Sequence, residues 1–159
     1  MTSVSEPFQI RIDVRISDID PQLHVTSAAY QQFADHSRYE CVQAAGVSVD
    51  ELLRDGLGPV NLEAVIKYHR ELRVGDYVTV TCAWVWGAGK TYRVENTLRR
   101  ADGELAATLS YVCGLLDLKQ RKLIANPAAE WAARATDPTV LGLECAPEGV
   151  SVASQPPCA

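Results

Sequence analysis

The segment from residue 17 to residue 27 concentrates polar groups that are able to do acid–base chemistry. Asp18 and Asp20 supply two carboxylates, and His24 supplies an imidazole. A carboxylate or an imidazole can act as a general base, and a carboxylate can also attack a carbonyl carbon. A helix that begins at Thr26 or Ser27 adds backbone N–H groups without internal partners, which favour a negative charge. The structural alternative is a polar turn before a helix, because Asp caps turns and Thr or Ser caps helices.

The elements on either side of this segment would fix its position. Residues 8–16 alternate between apolar and polar side chains, which predicts a half-buried strand. A helix is expected from Ser27 to Ala45, with Gly46 ending it. Its apolar and small residues recur at helical spacing at Tyr30, Phe33, Ala34, Ser37, Cys41 and Ala44. We expect this stripe to pack closely against a sheet, with one more helical turn at 50–55 and a chain break at 56–59.

The second half of the chain has a period of two, which predicts strands separated by turns. The strands are expected at 60–72, 77–86, 91–100 and 104–118, followed by a short helix at 127–134. One long helix on one face of a mostly antiparallel sheet is an α+β layer architecture. We expect one domain over residues 1–135 and a loosely structured tail over 136–159. An outer strand edge is expected to be exposed, and pairing with a second chain would cover it.

Composition narrows the function classes. The chain has 159 residues, a net charge of -5 and no dense basic cluster, which argues against nucleic-acid binding. It has neither an apolar run of about 20 residues, as a membrane helix needs, nor a signal-peptide pattern. The five cysteines lack any CxxC pair, which argues against a disulfide framework and a zinc site. We therefore expect a cytoplasmic protein with reduced thiols and without a membrane partner.

Four motifs, in this order, resemble the 4-hydroxybenzoyl-CoA thioesterase-like family of hotdog proteins. They are DIDP at 18–21 with His24, Tyr30 and Arg38 further along, YHRELRVGD at 68–76, GKTY at 89–92 and LLD at 115–117. The chain departs from the family pattern in three places. Leu23 stands where Gly is common, Thr26 and Ser27 stand where two Asn are common, and Glu71 stands where Pro is common. We expect the Glu71 difference to affect only the turn.

The resemblance implies a hotdog fold, in which an antiparallel sheet wraps around one long central helix, and a thioester hydrolase activity on acyl-CoA or acyl carrier protein. It maps the catalytic carboxylate onto Asp20, acting either as a nucleophile or as a general base. The backbone N–H of Ser27, with Thr26 adjacent, is the implied donor to the carbonyl oxygen. His24 either binds near the thioester or holds the loop closed, and the alternative is a loop histidine with no role in the chemistry. We expect Asp18 to hold the loop.

The resemblance also implies a site between two subunits of a homodimer or homotetramer. Tyr30 is a candidate for substrate binding, as are Asn61 and Glu63, which alternation would place on one strand face. The alternative for Asn61 and Glu63 is a polar pair facing solvent. Lys90 is a candidate for the CoA phosphates, together with the arginines at 70, 99 and 121. No metal and no cofactor other than the CoA of the substrate are expected, because no P-loop, Rossmann or zinc pattern occurs.

Two other functions fit the same fold. A non-catalytic module that binds acyl thioesters would keep the pocket without needing Asp20. A hydratase or dehydratase of this fold usually carries a catalytic His with a carboxylate on the central helix, and Asp35 with His36 is the one such pair here.

Overall fold

The computed structural model describes residues 6–144 and is built around one antiparallel sheet. The strands are β1 (Phe8–Asp13), β2 (Leu57–Tyr68), β3 (Tyr77–Trp86), β4 (Thr91–Arg100), β5 (Leu105–Asp117) and β6 (Lys122–Leu123). The helices are α1 (Ser27–Ala44), α2 (Val49–Arg54) and α3 (Pro127–Arg134), with 3-10 turns at Ile16–Asp18 and Pro138–Leu141. The sheet order is β1-β3-β4-β5-β2, and β6 pairs with the end of β5. No helix within residues 6–144 is both long and apolar enough to cross a membrane.

The long helix α1 lies against the sheet through small side chains. Ala34 and Cys41 are fully buried, and Phe33 is buried in the same hydrophobic core. Small residues at these positions let the helix approach the sheet closely. The predicted stripe is confirmed except at its end, where Ala45 is buried instead of Ala44. The α+β hotdog arrangement, with a curled sheet around one long helix, is therefore confirmed.

The strand predictions are confirmed at β3 and β4 and need correction at β2. The break expected at 56–59 is wrong, because Leu57 to Pro59 pair with the end of β5. Pro59 is tolerated there because β2 is an edge strand, where a missing N–H costs no ladder bond on the open side. The strand also ends at Tyr68, and the N–H groups of His69 and Arg70 both donate to the Ala106 carbonyl.

The first part of the predicted tail packs onto the domain. Leu141 is fully buried, and the indole N–H of Trp86 donates to the Leu141 carbonyl at 2.6 Å. The packed region thus continues beyond residue 135, through a segment too short to show periodicity. Residues 145–159 of the predicted tail, with Cys145 and Cys158, lie outside the described residues.

Candidate functional site

The loop between β1 and α1 is anchored by Asp18. Its carboxylate accepts hydrogen bonds from the Arg15 backbone N–H at 2.8 Å and from the Arg15 guanidinium at 3.0 and 3.1 Å. Burial opposes the charge on Asp18, but these hydrogen bonds outweigh it and lower its pKa. The Asp18 carbonyl in turn accepts from the Thr26 N–H at 2.9 Å, which ties the helix start to the loop. Asp18 therefore holds the loop, as predicted.

Asp20 lies at the centre of a tight turn. Its Oδ1 accepts hydrogen bonds from the backbone N–H groups of Gln22 at 2.8 Å and His24 at 3.2 Å. Its Oδ2 has no hydrogen-bond partner among the described residues, which leaves one oxygen available for chemistry. Leu23 has a φ of 63°, a left-handed conformation that suits Gly better, and this accounts for the Gly common there in the resembling family.

His24 meets a carboxylate that the sequence analysis did not assign to the site. The His24 Nε2 is 2.9 Å from Oε2 of Glu71, whose Oε1 lies 2.9 Å from the Arg73 Nε. The backbone N–H of Val25 also donates to the Leu72 carbonyl at 2.9 Å. The turn after β2 therefore packs against the loop before α1, and Glu71 does more than shape the turn. A signal was present in the sequence, since Glu71 was one of the three departures from the family pattern.

The start of α1 presents free backbone donors. The Thr26 Oγ1 caps the helix by accepting from the Ala29 N–H at 3.2 Å. The backbone N–H of Ser27 has no hydrogen-bond partner among residues 6–144, as expected for the first turn of a helix. These N–H groups and the helix dipole favour a negatively charged or polarised oxygen at this end.

Five of the predicted site residues line one open depression of about 660 Å³ at this end of α1. They are Asp20, His24, Thr26, Ser27 and Tyr30, and Val25, Tyr68, His69, Arg70 and Glu71 complete its wall. The buried Tyr30 ring meets the Tyr68 ring edge to face, with centroids 5.2 Å apart, and burial raises the Tyr30 pKa. The depression thus combines a carboxylate with one unpaired oxygen, an imidazole and the backbone N–H donors at the start of α1.

The other three predicted residues lie elsewhere in this chain. A β-bulge between Asn61 and Glu63 breaks the alternation of β2, so the expectation that they share a face is wrong. Asn61 accepts a hydrogen bond from Arg38 at 2.7 Å and lines a cavity under α1. Glu63 lines a polar groove with Arg93 on a different part of the sheet. Lys90 is exposed in the β3–β4 hairpin and lines neither the depression nor that cavity.

The cavity under α1, about 310 Å³ in volume, is aromatic and was not predicted as a unit. Trp84 stacks on Tyr92 at 5.3 Å, and Trp131 of α3 meets Trp84 edge to face at 5.2 Å. Arg38, whose side chain is 15% exposed, stands at its polar side and pairs with Asp35. No local sequence pattern marks this cavity as a unit, because its walls come from three helices and four strands.

The Thr26 cap at the start of α1 is expected to stabilise the folded protein. Thr26→Ala is expected to lower the free energy of unfolding by about 1 kcal/mol, since the Ala29 N–H loses its acceptor. Ser48→Ala is the matched control, because the Ser48 Oγ caps α2 in the same way, accepting from Glu51 N–H at 3.3 Å. Urea unfolding of both variants checks this, and an unchanged midpoint for Thr26→Ala would show that the cap does not stabilise α1.

A curled antiparallel sheet around one long helix, with a carboxylate and free N–H groups sharing a depression at the helix start, defines a hotdog-fold protein. The chain belongs to the thioesterase-like superfamily, whose family model matches residues 14–137. Among the described residues, no group of three His, Cys, Asp or Glu side chains is arranged to hold a metal ion.

Solved structures share the fold at low sequence identity. A 1,4-dihydroxy-2-naphthoyl-CoA thioesterase from Synechocystis superposes with a TM-score of 0.73 and 16% identity, over 79% of this chain and 93% of that one. A Staphylococcus aureus protein solved in complex with CoA gives a TM-score of 0.71 and 22% identity, over 94% and 96% of the two chains.

One curated relative is similar in sequence over part of its length. It is a chloroplastic acyl-acyl carrier protein thioesterase of Arabidopsis thaliana, 30% identical over 77 residues. The matched stretch is 48% of this chain and 40% of the plant protein, so this comparison spans less than half of that relative.

Proposed function

We propose that this protein hydrolyses acyl thioesters carried by CoA or by acyl carrier protein. The observation that carries the proposal is the shared depression, where Asp20, His24 and the free Ser27 N–H lie together. Membership of the thioesterase-like superfamily supports it. The relatives add support for the substrate class, since they include a CoA thioesterase, a protein bound to CoA and an acyl carrier protein thioesterase.

The chemistry follows from the groups in the depression. The thioester carbonyl oxygen lies at the start of α1 and accepts a hydrogen bond from the Ser27 N–H, which stabilises its developing charge. Asp20 then has two routes. As a general base it takes a proton from water while the water oxygen bonds to the carbonyl carbon. As a nucleophile its Oδ2 bonds to that carbon, and water hydrolyses the resulting anhydride. In both routes the C–S bond breaks and the thiolate leaves.

Tyr30 is proposed to contact the substrate from the wall of the depression. Arg70 is better positioned than Lys90 for the CoA phosphates, because it lines the same depression and its side chain is exposed. Lys90, Asn61 and Glu63 would reach this substrate only from a second subunit.

A second candidate function is binding of acyl thioesters without hydrolysis. The observation that favours it is the Asp20 turn, because Oδ1 already serves a structural purpose. A hydratase or dehydratase function has less support. Asp35 pairs with Arg38, whereas the His36 Nε2 lies 4.0 Å from the Glu40 Oε1. Although Asp35 and His36 are neighbours in sequence, they do not form one acid–base pair.

Product analysis separates these functions. Each acyl-CoA and acyl carrier protein thioester is incubated with the protein, and the free acid and the intact thioester are both quantified by mass spectrometry. Hydrolysis predicts accumulation of the free acid and loss of the thioester. Intact thioester that copurifies with the protein would instead support the binding module.

We propose that the protein works as a homodimer or homotetramer in the cytoplasm, without a metal or an added cofactor. The support for assembly is the β2 edge, where Leu62, Val65 and Tyr68 are 51, 43 and 53% exposed. An apolar edge strand of this length pairs readily with another strand. Buried free thiols at Cys41, Cys82 and Cys113 suit a reducing compartment.

Assembly through the β2 edge can be tested by placing a charge there. Val65→Lys is expected to convert the oligomer to monomer, because a charge at the centre of the β2 edge opposes strand pairing and apolar burial. Val85→Lys is the matched control, since Val85 is 50% exposed on β3, an interior strand of the sheet, where it pairs with Arg93 of β4. Molar mass from light scattering checks both variants. A wild-type monomer, or an unchanged mass in Val65→Lys, would contradict assembly through β2.

A further inference from the structure

Glu71 occupies the depression in a fixed orientation. Its Oε2 lies 2.9 Å from the His24 Nε2, and its Oε1 lies 2.9 Å from the Arg73 Nε. Both carboxylate oxygens are therefore engaged, one by each partner. Charge-assisted contacts of this kind are directional, so the carboxylate holds the imidazole in one orientation.

The contact also decides which ring nitrogen of His24 carries the hydrogen. A neutral imidazole has one N–H and one lone pair, and the hydrogen bond made by one nitrogen sets the state of the other. A carboxylate accepts but does not donate, so it places the hydrogen on Nε2. The Nδ1 then carries the lone pair, and it has no hydrogen-bond partner among the described residues.

The backbone of His24 is held as firmly as its ring. Its N–H donates to the Asp20 Oδ1 at 3.2 Å, its carbonyl accepts from the Asp20 N–H at 2.9 Å, and it forms a β-bridge with Arg73. The ring faces the same depression as Asp20 and the start of α1. An oriented acceptor in this place is suited to a water molecule beside the thioester.

We propose that Glu71 is a positioning residue, which fixes His24 as the Nε2–H tautomer and presents Nδ1 as a hydrogen-bond acceptor for the attacking water. The inference rests on the proposed hydrolysis. Asp20 remains the group that takes the proton or attacks the carbon, and His24 orients the water. A purely structural pair would tie the turn to the loop without affecting turnover through His24.

The tautomer is measurable without any substrate. Nitrogen NMR of protein labelled at its three histidines reports which ring nitrogen of each is protonated. We expect the Nε2–H form for His24 in the wild type and a mixture of tautomers in Glu71→Ala. Glu40→Ala is the matched control, since Glu40 faces His36 at 4.0 Å on the exposed side of α1 and should leave the His24 signals unchanged. An Nδ1–H form in the wild type, or unchanged signals in Glu71→Ala, would overturn the proposal.

A double-mutant cycle tests the catalytic consequence. Glu71→Ala is expected to lower kcat/KM about tenfold, the scale at which partners that orient a histidine act at metal sites. In a His24→Ala background the same change should have no further effect. Glu71→Gln should retain most of the activity, because its amide oxygen still accepts from Nε2–H. Additive losses in the cycle, or equal losses in Glu71→Ala and Glu71→Gln, would show that Glu71 does not act by orienting His24.

The NMR measurement and the double-mutant cycle distinguish failure of the proposed function from failure of the positioning role. If the wild type hydrolyses no thioester, the proposed function fails, and the NMR result still decides whether Glu71 sets the tautomer of His24. If the wild type hydrolyses thioesters and the cycle is additive, the function stands and the positioning role is wrong.

Discussion

Replacing Asp20 is expected to lower kcat for thiol release by about a hundredfold or more, the scale of a lost general base or nucleophile. The Asp20 Oδ2 is the one carboxylate oxygen in the depression that has no hydrogen-bond partner among the described residues. It lies in the loop that leads directly into the free N–H groups at the start of α1. Removing it takes away the group that generates or acts as the nucleophile, while the helix-start donors remain.

Two substitutions distinguish chemistry from turn geometry. Asp20→Asn keeps an Oδ1 that accepts from the N–H groups of Gln22 and His24, so the turn should survive without the charge. Asp20→Ala removes both the hydrogen-bond acceptor and the charge. We expect both variants to lose activity and only Asp20→Ala to lose stability. Asp13→Asn is the control, since Asp13 is an exposed carboxylate of β1 paired with Arg11. Wild-type rates in Asp20→Asn would restrict Asp20 to its structural role.

A single turnover in heavy-oxygen water separates the two routes of Asp20. Direct attack by water places the label in the product acid during the first turnover. After attack by the carboxylate, water that adds to the Asp20 Cγ of the anhydride leaves the label in Asp20, and a side-chain oxygen goes to the product acid. Label in the peptide containing Asp20, measured by mass spectrometry, therefore identifies the nucleophilic route.

Trp131→Ala is expected to cost about 3–5 kcal/mol of unfolding free energy, the range for removing a buried Trp from a core. Trp131 is 1% exposed, and its ring contacts Trp84 at 5.2 Å and Tyr92 at 6.4 Å between centroids. Its removal would join a new void to the aromatic cavity, and α3 would lose its one large buried side chain.

Denaturant unfolding measures this loss. Trp131→Phe should cost clearly less than Trp131→Ala, because most of the apolar volume is kept. Val85→Ala, at a half-exposed position of β3, should leave the midpoint nearly unchanged. A Trp131→Ala midpoint close to wild type would mean that α3 does not pack on the sheet as described.

Local signals explain what the sequence predicted well. The strands β3 and β4 alternate cleanly and are joined by a Gly-rich hairpin, so their bounds were predicted residue for residue. The bounds of α1 follow from the Thr26 cap and from Gly46, whose φ of 76° turns the chain. The loop residues of the candidate site line one depression because they are close neighbours in sequence.

Long-range pairing explains what the sequence did not predict. The bulge that separates Asn61 from Glu63 is set by the register of β2 against β5, and alternation alone gives no sign of it. Glu71 reaches His24 because two loops meet in space, although its unusual residue type was visible. The 3-10 turn at Pro138–Leu141 depends on the Trp86 indole that it covers. In each case the determining partner is distant in the chain.

The most direct test of this account is thiol release by the wild type and by Asp20→Ala across aryl, short-chain and long-chain acyl-CoAs and acyl carrier proteins. We expect the wild type to turn over at least one class and Asp20→Ala to turn it over at least about a hundredfold more slowly. A wild type that releases thiol from none of them, or an Asp20→Ala variant that keeps the wild-type rate, would contradict it.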